Sequence, residues 1–144
     1  MVGEDEAETG LLRDMLNEAK IFVQSFSWCD AVTNSYFAGG VGRVFAVFLF
    51  KISTRNPAVD PWEWIFVGDM PSAYLPVEDA GSKLEAFDTY VEGMKRWVEF
   101  ARRREEPGRD DRVPPVNVPA TPEWAEVLDR RLVSLIELIR PLFE

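Results

Sequence analysis

At 144 residues, with a 47% apolar fraction that includes ten Phe, five Trp and three Tyr, the chain has the length of one domain and enough large apolar side chains to fill its core without staples. Its formal charge of −9, from 25 acidic against 16 basic residues, repels phosphate backbones and anionic headgroups at long range, which argues against nucleic acid and membrane as partners. The absence of histidine removes Ser-His-Asp and Cys-His sites and imidazole ligands, and the single cysteine, Cys29, can form neither an intrachain disulfide nor a thiolate metal cage, so no metal and no cofactor is expected.

Residues 1–10 are small and charged, with Glu4, Asp5, Glu6 and Glu8, and are expected to fray ahead of one domain over 11–144. That acidic run is the opposite of a basic signal-peptide n-region, so the expected compartment is the cytoplasm. From Leu11 the apolar residues fall at 11/12, 15/16, 19, 22/23 and 26, the spacing of one helical stripe, predicting an amphipathic helix that ends near 25–27. Ala31–Phe37 favours a strand through Val32, Thr33, Tyr36 and Phe37. Ala38-Gly39-Gly40-Val41-Gly42 reads as the hairpin turn that follows, and it lacks the spacing of a phosphate-binding loop.

Residues 43–53 form the clearest strand. The core Val44–Phe50 shows no polar alternation, which calls for cover on both faces, and it falls well short of the roughly 20 residues of a membrane helix. After a loop marked by Asn56-Pro57 and Asp60-Pro61, Trp62–Val67 is the third strand, closed by Gly68-Asp69. Trp62, Trp64 and Phe66 share one face of it. Glu63 lies on the other, expected either at the sheet margin or paired with Arg43 or Lys51. Three strands with short links predict an antiparallel meander.

Ser82 and Glu85 make a capping box for a second helix whose stripe is Leu84, Phe87, Val91, Met94, Val98 and Ala101, stopped at Pro107-Gly108. Residues 105–121 form a proline-rich connector. Arg102, Arg103, Arg104, Arg109 and Arg112 are interleaved there with Glu105, Glu106, Asp110 and Asp111, which makes a solvated linker and not a nucleic-acid footprint. Thr121 and Pro122 read as N-cap and first residue of a third helix, which Pro141 ends or kinks. The fold class is therefore α+β: a helix, a three-stranded meander, then two helices, with the helices covering the sheet.

Cys29 reads better as a small buried hydrophobe than as a nucleophile, since no cationic cluster lies near it in sequence. Asp69 fits turn chemistry before Pro71, with an acid–base or ligand role as the functional alternative. Trp62 and Trp64 pack under a helix or form a binding platform. Tyr36, Arg43, Asp69 and Tyr74 sit in or beside the irregular segments, where binding residues concentrate, and complete the set of candidates.

The segments Ser27-Trp28-Cys29, Val44–Ile52, Trp62–Leu75, Val116-Asn117-Val118-Pro119 and Thr121-Pro122-Glu123 resemble a family of uncharacterised bacterial proteins of about this length. The resemblance covers most of the chain after residue 20 and implies a single bacterial domain. It carries no activity and no residue role. The sequence thus favours a non-catalytic protein-interaction or binding module, of an immunity, adaptor or chaperone kind, that acts on a basic protein. A carboxylate-dependent enzyme such as a metal-assisted hydrolase, and a small-molecule binder with an aromatic pocket around Trp62, Trp64 and Tyr74, stay open beside it. A homodimer is compatible with an exposed aromatic strand.

Overall fold

The central strand is apolar on both faces, and the rest of the chain is arranged to cover it. The computed structural model describes residues 6–108 and 113–144. In chain order these form helix α1 (Glu6–Gln24), strands β1 (Ala31–Val41), β2 (Phe45–Ser53), β3 (Trp62–Gly68) and β4 (Ala73–Pro76), a short 3-10 turn (Val77–Asp79), and helices α2 (Lys83–Arg102) and α3 (Pro122–Phe143). The sheet is antiparallel, in the order β1-β2-β3-β4.

Side chains alternate across β2. Phe45 and Val47 join Trp64 and Phe66 of β3 in a core roofed by α2 and α3. Ala46, Phe48, Phe50 and Ile52 join Ile65 and Val67 in a second core beneath Met15, Ala19 and Val23 of α1. The period-2 pattern of the strands and the four-residue stripe of α1 therefore meet in three layers, α1 on one face and the α2–α3 pair on the other. Phe45, Phe50, Phe66 and Phe87 are fully buried, and each such side chain contributes ~1.5–3 kcal/mol by leaving water.

The expected meander holds, with a fourth strand added. Beyond the third expected strand, Ala73–Pro76 pairs with β3 from Phe66↔Ala73 to Glu63↔Pro76. β1 runs through the expected turn as far as Val41, and the turn itself falls at Gly42, which has a φ of 46°. Gly39 sits inside the strand because an added Cβ would lie 2.2 Å from a ring carbon of Phe143. β1 also carries two irregularities, between Val32 and Asn34 and between Phe37 and Gly39.

Of the stretch expected to fray, residues 6–10 are helical, and residues 1–5 lie outside the described residues. Both predicted caps form. Ser82 Oγ accepts from the Glu85 amide at 3.2 Å, and Thr121 Oγ1 accepts from the Trp124 amide at 3.3 Å. Pro141 does not end α3, which continues to Phe143, where the ring packs edge-on against Phe87. Arg140 also ties α3 to α2 through Asp88, with Nε–Oδ1 at 3.1 Å and Nη2–Oδ2 at 3.2 Å. No helix among the described residues is long and apolar enough to cross a membrane. Of the charged linker, residues 109–112 lie outside the described residues; Arg102 forms an ion pair with Asp129 at 3.2 Å and Arg104 one with Glu123 at 3.8 Å.

Candidate functional site

The six candidate residues separate into five places. Trp64 is a core residue, 7% exposed, with its indole Nε1 donating to the Ala80 carbonyl at 2.8 Å. Tyr74 lies on the opposite face of the sheet from Trp64, packed among Phe22, Phe26 and Trp28 at ring separations of 4.9–6.5 Å. The aromatic pocket expected around Trp62, Trp64 and Tyr74 therefore does not assemble. Arg43, at the β1–β2 turn, reaches Asp14 of α1 at 3.3 Å across an exposed gap. Asp69 lines a cleft against α3 together with Arg130 and Arg131.

The remaining two candidates converge. Tyr36 of β1 and Trp62 of β3 project from the α2–α3 face at the end of the sheet that the helices leave uncovered. Their rings stack at 6.3 Å with planes 26° apart, and Tyr36 is 53% exposed. Lys51 Nζ sits 5.8 Å from the Trp62 centroid, so the ring face already meets a cation.

Asp60 joins this aromatic pair to a group of carboxylates. Its Oδ1 accepts from the Trp62 amide and its Oδ2 from the Glu78 amide, both at 2.9 Å, so one side chain fixes the start of β3 against the 3-10 turn. The loop before it is held by local bonds of the same kind, Ala58 N to Asn56 Oδ1 at 3.0 Å and Asn56 N to Thr54 Oγ1 at 3.1 Å. Glu78 and Asp79 follow on the turn, both exposed, and neither makes an ion pair among the described residues.

Glu63 feels this charge from inside. Sequence reasoning placed it at the margin or with a base, but it is 1% exposed and its Oε2 has no hydrogen-bond partner. Arg43 is engaged with Asp14, and Lys51 lies over Trp62 on the other face. Burial, and then the charges of Asp60, Glu78 and Asp79, push its carboxyl up to about 8. Cys29 is buried close by; burial, then Asp30 and Glu63, raise its thiol. Neither group is open to a substrate, and among the described residues no set of three or more Asp, Glu and Cys side chains is placed to hold a metal ion.

Sequence reasoning passed over Asp60, Glu78 and Asp79. Asp60 was visible as half of an Asp-Pro loop marker, and the adjacent acids of the 3-10 turn lay in a segment with no periodicity to place them. No family model matches the chain, and no curated protein or solved structure matches it. The resemblance drawn from the sequence segments therefore gains no residue role here.

Proposed function

We propose that this protein is a non-catalytic protein-interaction module whose acidic and aromatic end takes a basic segment of a partner protein. The observation that carries the reading is the juxtaposition built on Asp60: the exposed Tyr36 ring and the half-buried Trp62 ring on one side, and on the other Glu78 and Asp79, which make no ion pair among the described residues. Lys and Arg side chains are the complement of both halves, through their charge and through cation–π contact. The net charge of −9 adds long-range attraction for the same partner.

Recognition fits better than catalysis because the one carboxyl among the described residues with a large upward shift, Glu63, and the one thiol, Cys29, are both sealed in the core. The metal-assisted alternative needs carboxylates gathered around Asp69, and the residues that share its cleft are arginine, serine and apolar ones. An immunity, adaptor or chaperone role is consistent with a surface of this kind.

The test is calorimetric titration with a short peptide rich in Arg and Lys. The double variant Glu78→Gln/Asp79→Asn is expected to weaken binding about tenfold, from two partly exposed ion pairs of ~0.5–1 kcal/mol each. Glu18→Gln/Glu137→Gln removes the same charge from exposed positions on α1 and α3, and should change the affinity by less than about twofold. Equal losses in the two double variants would mean that the peptide responds only to net charge, and the proposed surface would be abandoned.

A further inference from the structure

A second surface stands apart from the acidic end and has the opposite construction. Between α3 and the turns at the other end of the sheet lies an open cleft of about 510 Å³, lined by Val44, Asp69, Met70, Arg130, Arg131, Ser134, Leu135 and Leu138. This volume falls in the usual range of small-ligand sites, ~300–1,000 Å³.

One wall is helical. Arg130, Ser134 and Leu138 follow at intervals of four, with Arg131 and Leu135 in the adjacent row, so two guanidinium groups, a hydroxyl and two leucines share this side of α3. The other wall is a pinned backbone. The Asp69 amide donates to the Val44 carbonyl at 2.9 Å, and Gly68, at a φ of 140°, lets that carbonyl approach so closely that an added Cβ would lie 2.4 Å from it. Two residues beyond Asp69, the Pro71 carbonyl accepts from the Tyr90 hydroxyl at 2.6 Å. The floor is apolar: Met70 is 4% exposed and Leu135 2%, while Val44 and Leu138 stay open at the rim, 36% and 46% exposed.

The charges in this cleft do not neutralise one another. Among the described residues neither Arg130 nor Arg131 makes an ion pair, and the Asp69 carboxylate has no salt bridge or hydrogen-bond donor. A cleft that holds cationic and anionic side chains on opposite walls, unpaired, above an apolar floor complements a ligand with the reverse arrangement. A simple anion would meet Asp69, and a simple cation would meet the arginines. Only a ligand with both charges satisfies all three groups.

We infer that this cleft binds a small zwitterion with an apolar side chain, of the free α-amino acid class. Arg130 and Arg131 hold the carboxylate, Asp69 holds the ammonium group, and Val44, Met70 and Leu138 contact the side chain.

The experiment uses the full chain and four probes: L-leucine, N-acetyl-L-leucine, L-leucinamide and glycine, followed by calorimetry and by amide chemical shifts. L-Leucine is expected to bind and to move the amides of Asp69, Met70 and Ser134. Each probe that lacks one charge, and glycine, which lacks the side chain, is expected to bind at least about tenfold more weakly. Asp69→Asn should abolish the preference for leucine over N-acetyl-leucine, because it removes only the ammonium partner. Arg130→Gln/Arg131→Gln should abolish binding of both. Circular dichroism shows that each variant folds, and the affinity of the basic peptide reports on the other end of the molecule separately. N-acetyl-leucine binding as tightly as leucine would overturn the zwitterion assignment. Absence of binding by all four probes up to ~10 mM, an affinity weaker than ~3 kcal/mol, would overturn the site.

Discussion

Glu63 should make the stability of this protein fall as the solution becomes alkaline, through a single group. In the unfolded chain its carboxyl loses its proton near the ordinary value of 4.5, whereas in the fold it holds the proton up to about 8. Between those two values the unfolded state binds fewer protons than the folded one, so stability decreases with rising pH. The contribution is intact below 4.5 and the cost is complete above 8. A shift from 4.5 to about 8 corresponds to ~5 kcal/mol at 1.36 kcal/mol per unit, of which ~3 kcal/mol is already lost at pH 7. That is a large part of the ~5–15 kcal/mol that holds a domain together. Glu63→Gln reproduces the shape of the neutral acid but cannot ionise. Urea denaturation of the parent and the variant at pH 5, 7 and 9 measures the effect, and taking the difference between the two proteins cancels the other carboxylates. From pH 5 to pH 9 the parent is expected to lose ~4 kcal/mol relative to the variant. A difference that stays constant within ~0.5 kcal/mol over this range, beyond the usual extrapolation error, would show that Glu63 ionises normally and that the described burial is wrong.

Two further outcomes follow from the same physics. Gly68→Ala places a Cβ 2.4 Å from the Val44 carbonyl oxygen at a φ of 140°, so thermal denaturation should show a loss of ~3 kcal/mol or more. Gly42→Ala, with open space around the added atom and a φ of 46°, should cost only ~1 kcal/mol; equal losses at the two glycines would contradict the close approach at Gly68. Cys29 is buried with its thiol pushed up by burial and by Asp30 and Glu63, so a disulfide reagent at pH 8 should label the native protein at least about a hundredfold more slowly than the unfolded chain. Rapid native labelling would place Cys29 at the surface.

The periodic parts of the fold were legible in the sequence because burial leaves a repeating signature. The stripe through Met15, Ala19 and Val23, the apolar run from Phe45 to Phe50 and the caps at Ser82 and Thr121 each came from local chemistry and each is where that chemistry placed it, whereas Val44, expected in the same covered run, falls in the turn ahead of β2. β4 was missed because four residues ending in Pro76 are too short to show alternation; Ala73–Pro76 is a strand through its pairing with β3, which is a long-range fact. The β1 boundary was misplaced for a similar reason. Gly39 and Gly40 look like a turn, yet Gly39 is required by the Phe143 ring, more than 100 positions away in the chain. Candidate sites fared differently according to what they depended on. Tyr36 and Trp62 were visible as aromatic residues of the first and third strands, but their meeting across β2 needed the register of β1 on β2 and of β2 on β3. Arg130 and Arg131 were not singled out in the sequence, because only the docking of α3 beside the β3–β4 turn gives them Asp69 for a counterpart.

The two irregularities in β1 have a consequence for how copies of this molecule behave toward one another. β1 is an outer strand of eleven residues without a charge or a proline, the kind of border that invites a passing chain to zip alongside and begin an aggregate. Its ladder is interrupted at Thr33 and at Ala38, leaving three uninterrupted stretches, Ala31–Val32, Asn34–Phe37 and Gly39–Val41. Each interruption is also tied down, Thr33 Oγ1 donating to the Lys51 carbonyl at 3.1 Å and Lys83 Nζ to the Ala38 carbonyl at 3.4 Å. A stray strand therefore finds a broken template with an ammonium group at one of its gaps, and the crowding that threatens other neutral borders has little to build on here.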